Sequence, residues 1–132
     1  MRDMVYIPTT NKIYALDYSN NRIIKVDCAT NTMTYFGISG IGSSLTYCSS
    51  NDSYFVALSG FDLKQFSVSS DTLLSTMFTV SSANDVIYSS TNDCVYAVMT
   101  SSTVRKYNSS GTLISNISIG LNGQKLTIDS NL

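Results

Sequence analysis

Apolar and polar positions along this chain alternate in short blocks. "KIYALD" (Lys12 to Asp17), "YFVAL" (Tyr54 to Leu58) and "CVYAVM" (Cys94 to Met99) are apolar without alternation, as expected of strands covered on both faces. Three further short runs accompany each, separated by Thr, Ser, Asn or Gly. The first set is Met4 to Ile7, Lys12 to Asp17, Arg22 to Asp27 and Met33 to Ile38. Ser44 to Cys48, Tyr54 to Leu58, Asp62 to Ser67 and Leu73 to Val80 form the second. In the third they are Asp85 to Tyr88, Cys94 to Thr100, Val104 to Asn108 and Leu113 to Ile119. No helical period intervenes, so the pattern predicts twelve strands and an all-β chain.

The three sets are copies of one another. Tyr6, Tyr47 and Tyr88 recur at intervals of 41 residues, and the same register aligns Tyr14, Phe55 and Tyr96, then Ala15, Val56 and Ala97. "IKVD" (Ile24 to Asp27), "KQFS" (Lys64 to Ser67) and "RKYN" (Arg105 to Asn108) line up next, each ending on an apolar residue and a turn-forming polar one. Asp27, Ser67 and Asn108 are expected to cap the following turn by accepting a backbone N–H two residues on. A period near forty signals an array or closed ring of similar units. Four strands per copy, covered on both faces, describe β-propeller blades. The blades are expected at about 4–40, 44–81 and 85–120, within one repeat domain spanning the chain. "QKLTIDSNL" (Gln124 to Leu132) reads as the first strand of a fourth blade, about 124–132, so the ring is expected to be incomplete. The alternative is a β-trefoil, a sugar-binding fold that also has three four-stranded copies. It has no place for the fourth-copy strand, and its Gln-x-Trp signature is missing from a chain without Trp.

"PTTNKIYALDYSNNRIIKVDCATNTMTYFGISG" (Pro8 to Gly40) resembles a YVTN-type propeller repeat. Tyr14-Ala15 stands for its first element, Ser19 to Asn21 for its turn, Lys25-Val26-Asp27 for its next strand and Ala29-Thr30-Asn31-Thr32 for its closing turn. The second and third copies keep the spacing but lose the letters. In propellers of this kind the functional surface is usually the ring face carrying the loops between second and third strands and those joining blades. By position the resemblance puts Tyr18 to Asn21, Ser59 to Asp62 and Thr100 to Thr103 there, with Gly37 to Ser43, Ser81 to Asn84 and Gly120 to Gln124. The candidate binding residues are therefore Tyr18, Asn20, Asn21, Phe61 and Asp62. An aromatic ring beside Asn or Asp can stack on a sugar or anchor a peptide.

Composition narrows the chemistry. Eight basic residues face nine acidic ones among 132, with 43% hydrophobic content, enough for one sizeable core and without the basic footprint of a nucleic-acid binder. No run approaches the roughly 18 apolar residues of a spanning helix, and Met1 to Thr10 lacks the basic-then-apolar order of an export signal. Cys28, Cys48 and Cys94 match neither a redox nor a zinc spacing and read as free thiols. The chain has no His, which removes Ser-His-Asp and Cys-His arrangements. Asp17, Asp27, Asp62, Asp71, Asp85 and Asp93 stand singly at strand ends and turns, and "GISGIG" (Gly37 to Gly42) has no helix behind it to hold phosphate. Neither a catalytic residue, a metal site nor a cofactor is expected.

The reading that follows is a non-enzymatic binding or scaffolding module, part of a larger surface or structural protein, with a protein or carbohydrate ligand. Its other partners are further blades in cis or a second copy in trans. A fragment of a lactonase-like propeller enzyme, with its catalytic residues outside this chain, is the alternative.

Overall fold

The computed structural model describes residues 1–60, 62–78 and 81–129. Twelve strands are present among them: β1 (Met4–Ile7), β2 (Lys12–Asp17), β3 (Arg22–Asp27), β4 (Met33–Gly37), β5 (Ile41–Cys48), β6 (Ser53–Ser59), β7 (Asp62–Ser67), β8 (Leu73–Phe78), β9 (Ala83–Ser89), β10 (Cys94–Met99), β11 (Thr103–Asn108) and β12 (Leu113–Ser118). They form three separate antiparallel sheets of four, in the orders β1-β2-β3-β4, β5-β6-β7-β8 and β9-β10-β11-β12. Each sheet is thus a meander closed by short turns. Three side-by-side sheets of sequential strands set aside the trefoil alternative.

Repeat positions have identifiable jobs. The hydroxyls of Tyr6, Tyr47 and Tyr88 donate to Asn11, Asp52 and Asp93 at 3.0, 2.9 and 3.0 Å. Those three acceptors sit in the first hairpin turn of each sheet with φ of 51°, 49° and 52°, a left-handed conformation that Asn and Asp tolerate better than other side-chain-bearing residues. One tyrosine per copy therefore ties a strand to its own turn, which accounts for the interval of 41. Of the expected turn caps, two form: Asp27 Oδ1 accepts from Ala29 N at 2.9 Å and Asn108 Oδ1 from Ser110 N at 3.1 Å. Ser67 differs. Its Oγ pairs with Ser69 Oγ at 3.0 Å, a hydroxyl having an alternative partner within reach where a carboxylate can only accept.

The core lies between sheets. Ile7, Tyr14, Leu16 and Ile23 of the first sheet meet Leu45, Tyr54, Val56, Leu58 and Phe66 of the second. Tyr14 and Tyr54 cross edge to face at 5.1 Å, and Tyr54 stacks on Phe66 at 5.4 Å. Cys48, Phe55, Ala57, Leu63 and Met77 meet Val86, Val95, Ala97, Met99 and Tyr107 across the second junction. Having a neighbour on each side, β6 is buried from Ser53 to Leu58, whereas Lys12 and Ile13 of β2 are half-exposed. The unalternating pattern of these strands thus matches two-sided burial most fully in the middle sheet. At the second junction Gly111 (φ 86°) permits a close approach, since a Cβ there would lie 3.0 Å from Met77 Sδ.

Among the described residues the Tyr107 hydroxyl is buried without a hydrogen-bond partner. A buried orphan of this kind costs roughly 1–3 kcal/mol. The equivalent position in the second sheet is Phe66, so Tyr107→Phe is expected to raise stability by about 1 kcal/mol. A urea midpoint equal to or below that of the parent chain would show that the hydroxyl is satisfied in solution.

Residues 121–129 carry no strand pairing, unlike the strand expected at 124–132, and residues 130–132 lie outside the described residues. A first strand has no sheet to join without its second. The segment nonetheless docks on the third sheet: Leu126 N donates to Asp85 Oδ2 at 2.7 Å and Asn84 Nδ2 to Gly123 O at 2.7 Å.

Candidate functional site

The loops joining β2 to β3 and β4 to β5 emerge at the same end of the first sheet, because Asp17 opposes Arg22 and Arg22 opposes Gly37. The corresponding loops of the other sheets share that end. Asp17 organises the first of them: its Oδ2 accepts from Asn20 Nδ2 at 2.8 Å and Arg22 Nε at 2.7 Å. The bonds from Asn20 and then Arg22 hold this carboxyl below the usual aspartate range. Tyr18 to Asn20 make one 3-10 turn, closed by Asn21 at φ 50°, and Asn21 O accepts from Ile38 N at 2.8 Å.

Of the sequence-chosen residues, Tyr18 is 44% exposed, with the Arg2 guanidinium 5.0 Å from its ring centre. Asn20 is exposed beside it, while Asn21 serves as the turn's left-handed residue. Asp62 lies apart from them as the half-buried first residue of β7, opposite Leu58. Phe61 lies outside the described residues. The structure therefore brings Tyr18, Asn20 and Asn21 together on one loop.

A cleft of about 210 Å³ opens on the inner-strand side, lined by Arg2, Ser43, Asn84, Asp85, Gln124 and Lys125. Four of these, Arg2, Ser43, Asn84 and Lys125, recur at the interval of 41. Arg2 and Lys125 went unnoticed in the sequence because they precede the apolar runs, although the spacing marked them. Beneath the cleft the inner strands are stitched together by polar side chains. Leu45 N donates to Asp3 Oδ2 at 3.0 Å, and Ser44 Oγ lies 2.6 Å from Asp85 Oδ1 and 2.8 Å from Asp3 Oδ2. A hydroxyl has one proton, so Ser44 serves one carboxylate at a time. Ser43 Oγ donates to Ala83 O at 2.7 Å. The acceptors under the cleft are thus engaged in joining sheets, and its rim presents Arg2, Gln124 and Lys125.

Three further carboxylates hold turns or junctions. Asp71 pairs with Lys25 of the first sheet, Asp52 accepts from Thr9 Oγ1 at 2.7 Å, and Asp93 accepts from Ser109 Oγ at 2.8 Å. Hydroxyl donors, Ser50 first and then Ser109 and Tyr88, hold the Asp93 carboxyl below its usual range.

This arrangement matches solved structures. The WD40 repeats of RRP9 superpose with a TM-score of 0.78 at 12% identity, over 88% of this chain and 38% of theirs. These are β-propeller blades. Sqt1 of Saccharomyces cerevisiae gives 0.75 at 12% identity, over 88% of this chain and 35% of its own. The hydrazine synthase of Kuenenia stuttgartiensis gives 0.82 at 8% identity, over 93% and 37%. The three blades therefore span less than two fifths of each of these chains. Neither a family model nor a curated protein matches the sequence.

Proposed function

We propose that the three blades form a non-enzymatic binding module, a scaffold segment of a propeller with YVTN-like repeats, whose loop-end surface takes a protein or carbohydrate ligand through Tyr18 and Asn20. The carrying observation is the employment of the carboxylates: Asp3, Asp17, Asp27, Asp52, Asp71, Asp85 and Asp93 each hold a turn or a blade junction. Tyr18 and Asn20, by contrast, face solvent on a loop whose shape Asp17 sets. An exposed, positioned aromatic is the kind of group that anchors an interface. The likeness to WD40 repeats supports the reading through the fold, and the likeness to a hydrazine synthase brings no activity with it.

Two measurements test this. Ligands selected on the intact chain from displayed peptides and a glycan array are expected to weaken by about 30-fold or more with Tyr18→Ala, the scale of an aromatic hot spot. Unchanged affinity would move the site elsewhere. A screen of esters, lactones and glycosides is expected to stay at background, and turnover abolished by Asp85→Asn would refute the non-enzymatic reading.

A further inference from the structure

The segment that follows β12 is docked through a glycine. A Cβ on Gly123 would fall 2.3 Å from Val98 Cγ2 and 3.1 Å from Ile119 Cδ1, so the backbone can lie this close to the sheet only where the residue has no side chain. Gly123 O accepts from Asn84 Nδ2 at 2.7 Å, and further along Leu126 N donates to Asp85 Oδ2 at 2.7 Å. Packing thus fixes the residue at 123, and an asparagine precedes it. Asn122-Gly123 is the one Asn-Gly pair in the sequence, and every other asparagine is followed by a residue that carries a side chain.

Such a pair has a chemistry of its own. The main-chain nitrogen after an asparagine can attack the side-chain amide carbon, and the steric obstacle to that attack is the Cβ that glycine lacks. The surroundings of Asn122 favour it further. Asn122 is exposed and lies in residues 121–129, which carry no strand pairing. Among the described residues the Gly123 N–H makes no hydrogen bond, so none has to break before the nitrogen reacts. Ser102 Oγ donates to Asn122 Oδ1 at 2.9 Å, and a donor on that oxygen stabilises the negative charge that develops there when Cγ is attacked.

We infer that Asn122 is a self-modification site, where Gly123 N closes a succinimide ring on Asn122 Cγ, water reopens it, and the β-linked product releases residues 123–129 from the third blade. The bond from Gly123 N to Cγ forms as the bond from Cγ to Nδ2 breaks, and Nδ2 leaves as ammonia with the proton that Gly123 N gives up. Water then cleaves the ring at one of its two carbonyl carbons. Cleavage at Cγ restores the original backbone with an aspartate side chain. Cleavage at the main-chain carbonyl leaves the chain running through Cβ and Cγ as an isoaspartate, with the main-chain carboxylate free. Only water is consumed, and nothing is oxidised or reduced. The isoaspartate backbone is longer by one carbon ahead of Gly123, which moves Gly123 off Val98 and its carbonyl off Asn84. Either product also adds a negative charge to the loop that leads into Gln124 and Lys125 of the cleft.

Peptide mapping by mass spectrometry of the folded chain, incubated at neutral and at mildly alkaline pH, tests the site. Asn122 is expected to lose its amide while the other asparagines keep theirs, faster at the higher pH because the attacking nitrogen must give up a proton, and both linkages are expected among the products. Ser102→Ala is expected to slow the loss by about two- to tenfold, the scale of one hydrogen bond. Hydrogen exchange is expected to show Leu126 N losing protection in the β-linked product, and keeping it in Asn122→Ser incubated alongside, which retains Gly123 but has no amide to lose. A folded chain that keeps the Asn122 amide while the same chain in urea loses it would overturn the proposal, because the fold would then shield the pair. Leu126 N as protected in the β-linked product as in the fresh chain would overturn the release, and Ser102→Ala reacting as fast as the parent would overturn the part given to Ser102. Far-ultraviolet circular dichroism checks that each variant folds, and the comparison of folded and urea-treated parent chain decides the site if either does not.

Discussion

Tyr14→Asp is expected to destabilise the chain by about 5 kcal/mol or more, enough to unfold a domain whose whole stability is of the order of 5–15 kcal/mol. Tyr14 is 1% exposed. Its ring meets Tyr54 edge to face, and Tyr54 stacks on Phe66, so one substitution removes the first member of a three-ring column joining blades 1 and 2. Large-to-small changes of aromatic core residues alone cost about 3–5 kcal/mol. The new carboxylate adds an unpaired buried charge within the same junction that holds Asp71, and like charges there oppose each other. Urea unfolding followed by circular dichroism checks this. A midpoint within experimental error of the parent would place Tyr14 outside the core and remove the junction between blades 1 and 2 as described.

The second large effect is alkaline unfolding. Burial first, and then the nearby Asp71 carboxylate, raise the Tyr14 hydroxyl from 10.0 to about 12. Burial and Asp71 push Tyr54 up as well, and burial raises Tyr47 and Tyr88. A pKa raised in the folded state means that the unfolded chain ionises first. The stability contributed by keeping these phenols neutral is complete below pH 10 and is lost as pH rises toward 12. For Tyr14 the loss is on the order of 2 kcal/mol. Tyrosinate absorbance and circular dichroism are therefore expected to change together between pH 10 and 12. Tyr54→Phe, which removes an ionisable hydroxyl from the same junction, should move the structural transition to higher pH. Ionisation of all nine tyrosines near pH 10 with the fold intact would contradict the burial of this column.

Much of the fold was legible from spacing alone. The interval of 41 separating Tyr6, Tyr47 and Tyr88 marked the repeat, and the unalternating β2, β6 and β10 marked strands buried on both faces. Turn chemistry reads locally too: Asp27 and Asn108 cap as expected because the acceptor and its target N–H lie two residues apart, a distance the chain itself sets. Ser67 departed because a hydroxyl can donate as well as accept, and Ser69 was near.

What only the tertiary structure decided is how copies meet. Lys25 and Asp71 are 46 residues apart, Gln65 and Ser109 are 44, and Asp85 reaches Ser44 41 residues before it and Leu126 41 residues after it. These pairings depend on the angle and order in which sheets stack, which no window of the sequence contains. The same holds for Arg2 at the face of Tyr18 and for Arg2 and Lys125 on one cleft. Hydrophobic period and turn chemistry act within about one strand and its neighbour, so the sequence by itself determined the strands, their turns and the number of copies. The blade junctions and the cleft arise from contacts at long sequence separation, and only the folded arrangement settles which side chains those contacts consume and which they leave facing solvent.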